Sequence, residues 1–216
     1  LAQCELLLGR LAHPADWLTE LNEAAAAVGS ADTGHLPLTQ RGSLYFISEL
    51  GVGITAHHVL LDADWDPAAP SKALVIGLGD PITWTYHAEV VLFSPSPRKP
   101  SPGKPDHRHG CPKPWLDVAI LKIVAVVDSN SGVVIDDPQI DIDPMGKRRI
   151  LHPPLPWERG AAPQPRLLRS LVAANRPPRV GDWVAVLGYG QEMPRGPSRR
   201  TCTGRVVGWH SDPDVG

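Results

Sequence analysis

Gly42-Ser43-Leu44-Tyr45-Phe46-Ile47-Ser48 and Gly51-Val52-Gly53-Ile54-Thr55 flank the pair Glu49-Leu50. Both runs are short and apolar, and glycine punctuates each of them. They predict two strands joined by a tight turn. The signal recurs at Ala73 to Leu78, Tyr86 to Phe93 and Leu116 to Val127, then across Arg179 to Gly190 and Thr201 to Trp209. Short strands at regular spacing predict an antiparallel barrel or sandwich.

Composition points the same way. The chain has 216 residues, enough for one large domain or two small ones. Its 24 prolines and 20 glycines favour short strands linked by loops. A net charge of -2 supplies no global field toward nucleic acid or an anionic membrane. No apolar run approaches the ~20 residues of a membrane span. Cys4, Cys111 and Cys202 are too few for a disulfide framework, so they predict free thiols and a lean toward a reducing, cytoplasmic setting. Leu1-Ala2-Gln3-Cys4-Glu5 lacks the basic start of a signal peptide, although a chain that does not begin with Met leaves its own start open.

Upstream of the strands, Trp17, Leu18, Leu21, Ala25 and Val28 recur at helical spacing. With Pro14 in the first turn and Gly29 at the stop, residues 14–28 predict one amphipathic helix. Two stretches break the strand pattern. Residues 94–114 hold seven prolines among Lys, Arg and His, which predicts an extended, exposed loop. Residues 128–165 run from an acidic half (Asp136, Asp137, Asp141, Asp143) to a basic one (Lys147, Arg148, Arg149), and predict a second mobile insertion.

Chemistry concentrates at Ile54-Thr55-Ala56-His57-His58-Val59-Leu60 and at Leu116-Asp117-Val118-Ala119-Ile120-Leu121. An aspartate leading an apolar strand buries a charge at a cost of several kcal/mol if it is unpaired. An imidazole N–H relieves that cost. Asp62, Asp64 and Asp66 are too local to His58 to compete with Asp117. The plainer alternatives are a structural histidine at a strand end and a solvent-exposed aspartate at a strand start.

Gly42 to Val59 together with Leu116 to Lys122 resembles the trypsin-like, chymotrypsin-fold serine peptidases, especially their bacterial members. Thr55-Ala56-His57-His58-Val59 corresponds to their Thr-Ala-Ala-His-Val, and Asp117-Val118-Ala119-Ile120-Leu121 to their Asp-(Leu/Ile/Val)-Ala-(Val/Ile)-Leu. Val180-Gly181-Asp182-Trp183-Val184 and Gly188-Tyr189-Gly190 resemble the landmark that opens the second barrel.

The resemblance implies an all-β fold of two antiparallel Greek-key β-barrels of chymotrypsin type, the second truncated, with a helix before them. Residues 1–37 would be the helical extension, 38–127 the first barrel, 128–165 an insertion and 166–216 part of the second barrel. The implied activity is endopeptidase cleavage of a polypeptide substrate through an acyl-enzyme. His58 would be general base and then acid, and Asp117 would orient it. His57 takes an alanine position and is expected to pack. No cofactor or metal is implied, and oligomeric state is left open.

The family's nucleophile lies in Gly-x-Ser-Gly-Gly. Ser170, Ser198 and Ser211 all lack the glycine neighbours of that turn, so the serine is expected beyond Gly216. The alternative is a peptidase-like module that holds peptides in the cleft without cutting them. A weaker possibility is zinc at His107, His109 and Cys111 beside Asp106, which lacks the second pair of ligands of a structural site. The acidic run from Asp136 to Asp143 lacks the glycine-punctuated spacing of a calcium loop.

Overall fold

A computed structural model describes residue 18 and residues 21–32, 35–37, 40–62, 73–94, 117–152, 166–172, 176–192 and 196–208. The architecture is predominantly β. Seven strands form the main sheet: β1 (Ala25–Ala31), β2 (Gln40–Phe46), β3 (Val52–Thr55), β4 (Ala73–Leu78), β5 (Thr83–Ser94), β6 (Val118–Val127) and β7 (Val134–Asp136). Their order is β3-β2-β1-β4-β5-β6-β7, and β3 also pairs with β6. Hydrogen-bonded pairing through the six strands β1, β2, β3, β6, β5 and β4 therefore runs in a cycle, with β7 attached to β6 outside it.

The β2–β3 turn follows from its sequence. Gly51 N–H donates to the Ser48 carbonyl at 3.1 Å, and Ile47 N–H to Val52 O at 2.8 Å. Gly51 sits at φ 75°, a conformation that glycine adopts without a steric cost. Its own carbonyl accepts from Ile123 N, tying the turn to β6.

The alanine-rich segment departs from the sequence expectation. Among the described residues of this segment Leu18 and residues 21–24 are helical, and Ala25 begins a strand rather than extending the helix to Val28. Residues 14–17, 19 and 20 lie outside the described residues. β1 is hydrogen-bonded to β2 on one side and β4 on the other. Ala26 and Val28 pack with Leu44, Phe46 and Ile76 inside the cycle. Ala25 and Ala27 pack on the opposite face with Tyr45, Ala185, Leu187 and Tyr189. Two ladders and two buried faces outweigh the helix propensity of alanine, a fraction of a kcal/mol per residue. The main sheet thus begins upstream of residue 38.

Residues 128–152 are also more ordered than their composition predicts. β8 (Ile140–Ile142), β9 (Arg148–His152) and β10 (Arg166–Leu167) form a three-stranded sheet. Ile150 is buried in the main core, and its N–H donates to Glu49 O at 2.8 Å. Glu49 Oε2 lies 2.7 Å from Lys147 Nζ and 3.1 Å from Arg149 Nε. One apolar anchor and one ion cluster hold a segment whose mean composition predicts mobility. The proline-rich stretch beyond Ser94, with His107, His109 and Cys111, lies outside the described residues, as do residues 153–165.

β11 (Trp183–Glu192) and β12 (Gly196–Arg205) form a two-stranded sheet. Ala185, Leu187 and Tyr189 pack its inner face against β1 and β2. No helix among the described residues is long and apolar enough to cross a membrane.

Candidate active site

The site grows out of one ladder. β3 and β6 are antiparallel, with Ile54 opposite Ile120 and Thr55 opposite Ala119. Two further steps set His57 against Asp117, and His57 N–H donates to the Asp117 carbonyl at 3.2 Å. There the chain turns into a short helix, His57–Asp62. That turn brings the next residue, His58, over the Asp117 side chain. His58 N–H donates to Asp117 Oδ1 at 2.9 Å, and His58 Nδ1 lies 2.8 Å from Asp117 Oδ2.

Asp117 is at φ 45°, in the left-handed region that aspartate enters more readily than most residues. In this conformation its carbonyl and its carboxylate meet two successive amides. The carboxylate satisfies an N–H at the start of the helix, where the backbone has no intrahelical acceptor, and its charge suits that end of the helix. A carboxylate only accepts, so the imidazole is the donor of this bond, through Nδ1–H. The His58 and Asp117 side chains are 13% and 24% exposed.

The two histidines have separate environments. His57 is fully buried and stacks on Phe93, with ring centroids 4.9 Å apart. His58 lines a cleft of about 320 Å³ between β2 and the β11–β12 hairpin. Behind it, Gly42 leaves room for Val59: a Cβ on Gly42 would sit 2.5 Å from Val59 Cγ2. The helix can therefore lie directly on β2.

Other lining groups were not singled out from sequence: Arg41, Ser43, Tyr189, Arg200 and Cys202. One signal was available. Leu44 and Phe46 point into the core, so Arg41, Ser43 and Tyr45 alternate to the outer face. Ser43 joins the two walls, since its Oγ accepts from Tyr189 N at 2.7 Å and its carbonyl from Thr55 Oγ1 at 2.7 Å. Tyr189 Oη donates to Gly79 O at 3.2 Å, and burial raises its hydroxyl pKa.

Of the serines considered from sequence, Ser211 lies outside the described residues. Ser170 is not among the described residues lining the cleft, and the side chain of Ser198 lies outside the described residues. Among the described residues no three His, Cys, Asp or Glu side chains cluster to hold a metal ion. No known family's sequence profile matches the chain, and neither does any curated protein compared with it.

Proposed function

We propose that this chain carries the histidine–aspartate part of a trypsin-like serine endopeptidase. The observation that carries the proposal is the 2.8 Å contact of His58 Nδ1 with Asp117 Oδ2, made by a histidine that lines a cleft between two β-sheets. In acyl transfer the base must accept the proton of a serine hydroxyl and return it to the leaving amine. Asp117 suits the orienting role: it selects the Nδ1–H tautomer and stabilises the imidazolium that forms. Its second bond, to the His58 amide, holds the ring's own backbone against the same carboxylate.

The strand order supports the finer fold reading. β1, β2 and β3 follow one another, and β4 returns beside β1, giving the order β4-β1-β2-β3 of a Greek key. With the β3–β6 pairing this suits a six-stranded barrel of chymotrypsin type, and β11–β12 suits the opening strands of a second. The cleft between them would receive a polypeptide.

A second reading of the same cleft is a peptide-binding module without hydrolysis. The test is fluorophosphonate labelling of the chain together with whatever its reading frame encodes after Gly216. Labelling at a Gly-x-Ser-Gly-Gly serine, lost in His58→Ala, is the expected result. A stop codon or a substituted serine there leaves the binding module. Labelling at any serine within residues 1–216 overturns the proposal.

A further inference from the structure

The two walls of the cleft belong to different sheets. β2 and the short helix supply one, and the β11–β12 hairpin supplies the other. Apolar packing sets no unique spacing between them, since Ala185, Leu187 and Tyr189 meet Tyr45, Ala25 and Ala27 through a non-directional attraction. Hydrogen bonds supply the direction. Tyr189 is pinned at its backbone and at its tip: its N–H donates to Ser43 Oγ at 2.7 Å, and its Oη to Gly79 O at 3.2 Å.

β11 pairs with β12 along one edge. The Tyr189 N–H is directed across the cleft at β2, where its acceptor is a side-chain hydroxyl rather than another strand. Tyr189 is only 5% exposed, so water cannot readily replace that acceptor. Gly188 leaves room for the contact, because a Cβ there would lie 3.2 Å from Ser43 Oγ.

Ser43 also holds the strand that leads into His58. Its carbonyl accepts from Thr55 Oγ1 at 2.7 Å, Thr55 is buried, and His58 follows three residues later. One residue therefore touches both walls: its backbone takes the His58 side, and its hydroxyl takes the opposite side. Both Ser43 and His58 line the cleft.

Proton transfer tolerates little misplacement, and a shift of about 1 Å can cost roughly 100-fold in rate. Resting on the histidine–aspartate reading above, we infer that Ser43 is a positioning residue. Its hydroxyl fixes the β11–β12 wall, with any group that wall presents to the imidazole, at a set distance from His58.

Ser43→Ala removes the acceptor and Ser43→Thr keeps it. A nitroxide on Cys202, an exposed residue of the β12 wall, reads the separation as relaxation enhancement at the His58 amide, in a chain carrying Cys4→Ser and Cys111→Ser. Ser43→Ala should weaken the enhancement. It should also quicken exchange of the Tyr189 amide about tenfold, as one lost hydrogen bond does. Ser43→Thr should match the wild type in both. Glu49→Gln, at a residue outside the described lining of the cleft, should leave the enhancement unchanged and so separates positioning from general destabilisation. In the chain extended through its reading frame, fluorophosphonate labelling should slow about tenfold to a hundredfold in Ser43→Ala and recover in Ser43→Thr.

Three results overturn the inference while leaving the histidine–aspartate pair in place. The Ala and Thr variants give the same enhancement, Glu49→Gln weakens it as Ser43→Ala does, or labelling is equally fast with and without the hydroxyl. An extended wild type that takes no label removes hydrolysis instead, and the relaxation measurement on the chain itself still decides the role of Ser43.

Discussion

Asp117 accepts two hydrogen bonds from a single residue: His58 reaches it through its backbone N at 2.9 Å and through Nδ1 at 2.8 Å. The carboxylate therefore anchors the start of the helix and fixes the ring in one act.

Truncating that side chain should separate the two consequences. Asp117→Ala leaves the helix amide and the imidazole without their acceptor, and should cost about 2 kcal/mol in urea unfolding. The imidazole should also lose its preference for the Nδ1–H tautomer, as read by ¹⁵N NMR of the ring. An unchanged tautomer in the variant would show that the carboxylate does not orient His58.

Helix and strand meet at Gly42, so adding a single methyl group there should be felt at the site. In Gly42→Ala the new Cβ lies 2.5 Å and 2.9 Å from the two Val59 methyls. Such overpacking costs roughly 1–3 kcal/mol. Combining it with Val59→Ala should recover part of the loss, seen as a positive coupling in a double-mutant cycle of urea midpoints. Strictly additive costs would mean that the helix is not held against β2 at this point.

Tyr86 is fully buried, and its hydroxyl has no hydrogen-bond partner among the described residues. Tyr86→Phe should therefore be neutral or stabilise by up to about 1 kcal/mol. Burial raises the hydroxyl pKa above the ordinary value of about 10. Above that pH the unfolded chain releases the proton while the folded chain keeps it, so stability falls as pH rises. The fall should be shallower in Tyr86→Phe, measured by urea unfolding between about pH 9 and 11. A variant that loses more than about 2 kcal/mol at neutral pH would show that the hydroxyl is satisfied after all.

Glu49 gathers Lys147 and Arg149 beneath the β2–β3 turn, with Asp143 3.3 Å from the same arginine. Glu49→Gln should cost about 1 kcal/mol, since Lys147 is half exposed and water screens part of the attraction. Amide exchange should quicken across β8 and β9, while the bond from Ile150 N to the Glu49 carbonyl preserves the strand itself. Exchange that quickens equally in β1 would instead indicate global destabilisation.

Much of this was legible in the chain. Gly42 to Thr55 announces a hairpin because its turn is local: Ser48 to Gly51 closes on itself, and glycine takes the φ of 75° without a steric cost. β4 occupies Ala73–Leu78, the bounds of its β-branched run, and β6 matches its own within two residues. Ala25 to Ala31 was not legible in this way. Isolated, the segment has a helical period and a helix-forming composition; only β2, β4 and the β11 hairpin, distant in sequence, make it a strand. The order of residues 128–152 likewise rests on Ile150 and on Glu49, almost a hundred residues upstream.

The sequence by itself determined a β-rich fold, because hydrophobic period and local turn chemistry are written in consecutive residues. It singled out His58 and Asp117 only through the resemblance of their two motifs to those of the trypsin-like peptidases. Tertiary structure decided the rest. The β3–β6 register spans 59 intervening steps and sets which histidine meets the carboxylate. Packing of the β11–β12 hairpin on β1 and β2 created the cleft and bonded Ser43 to Tyr189 across it. Such contacts depend on burial and strand alignment between distant segments, which no local pattern encodes.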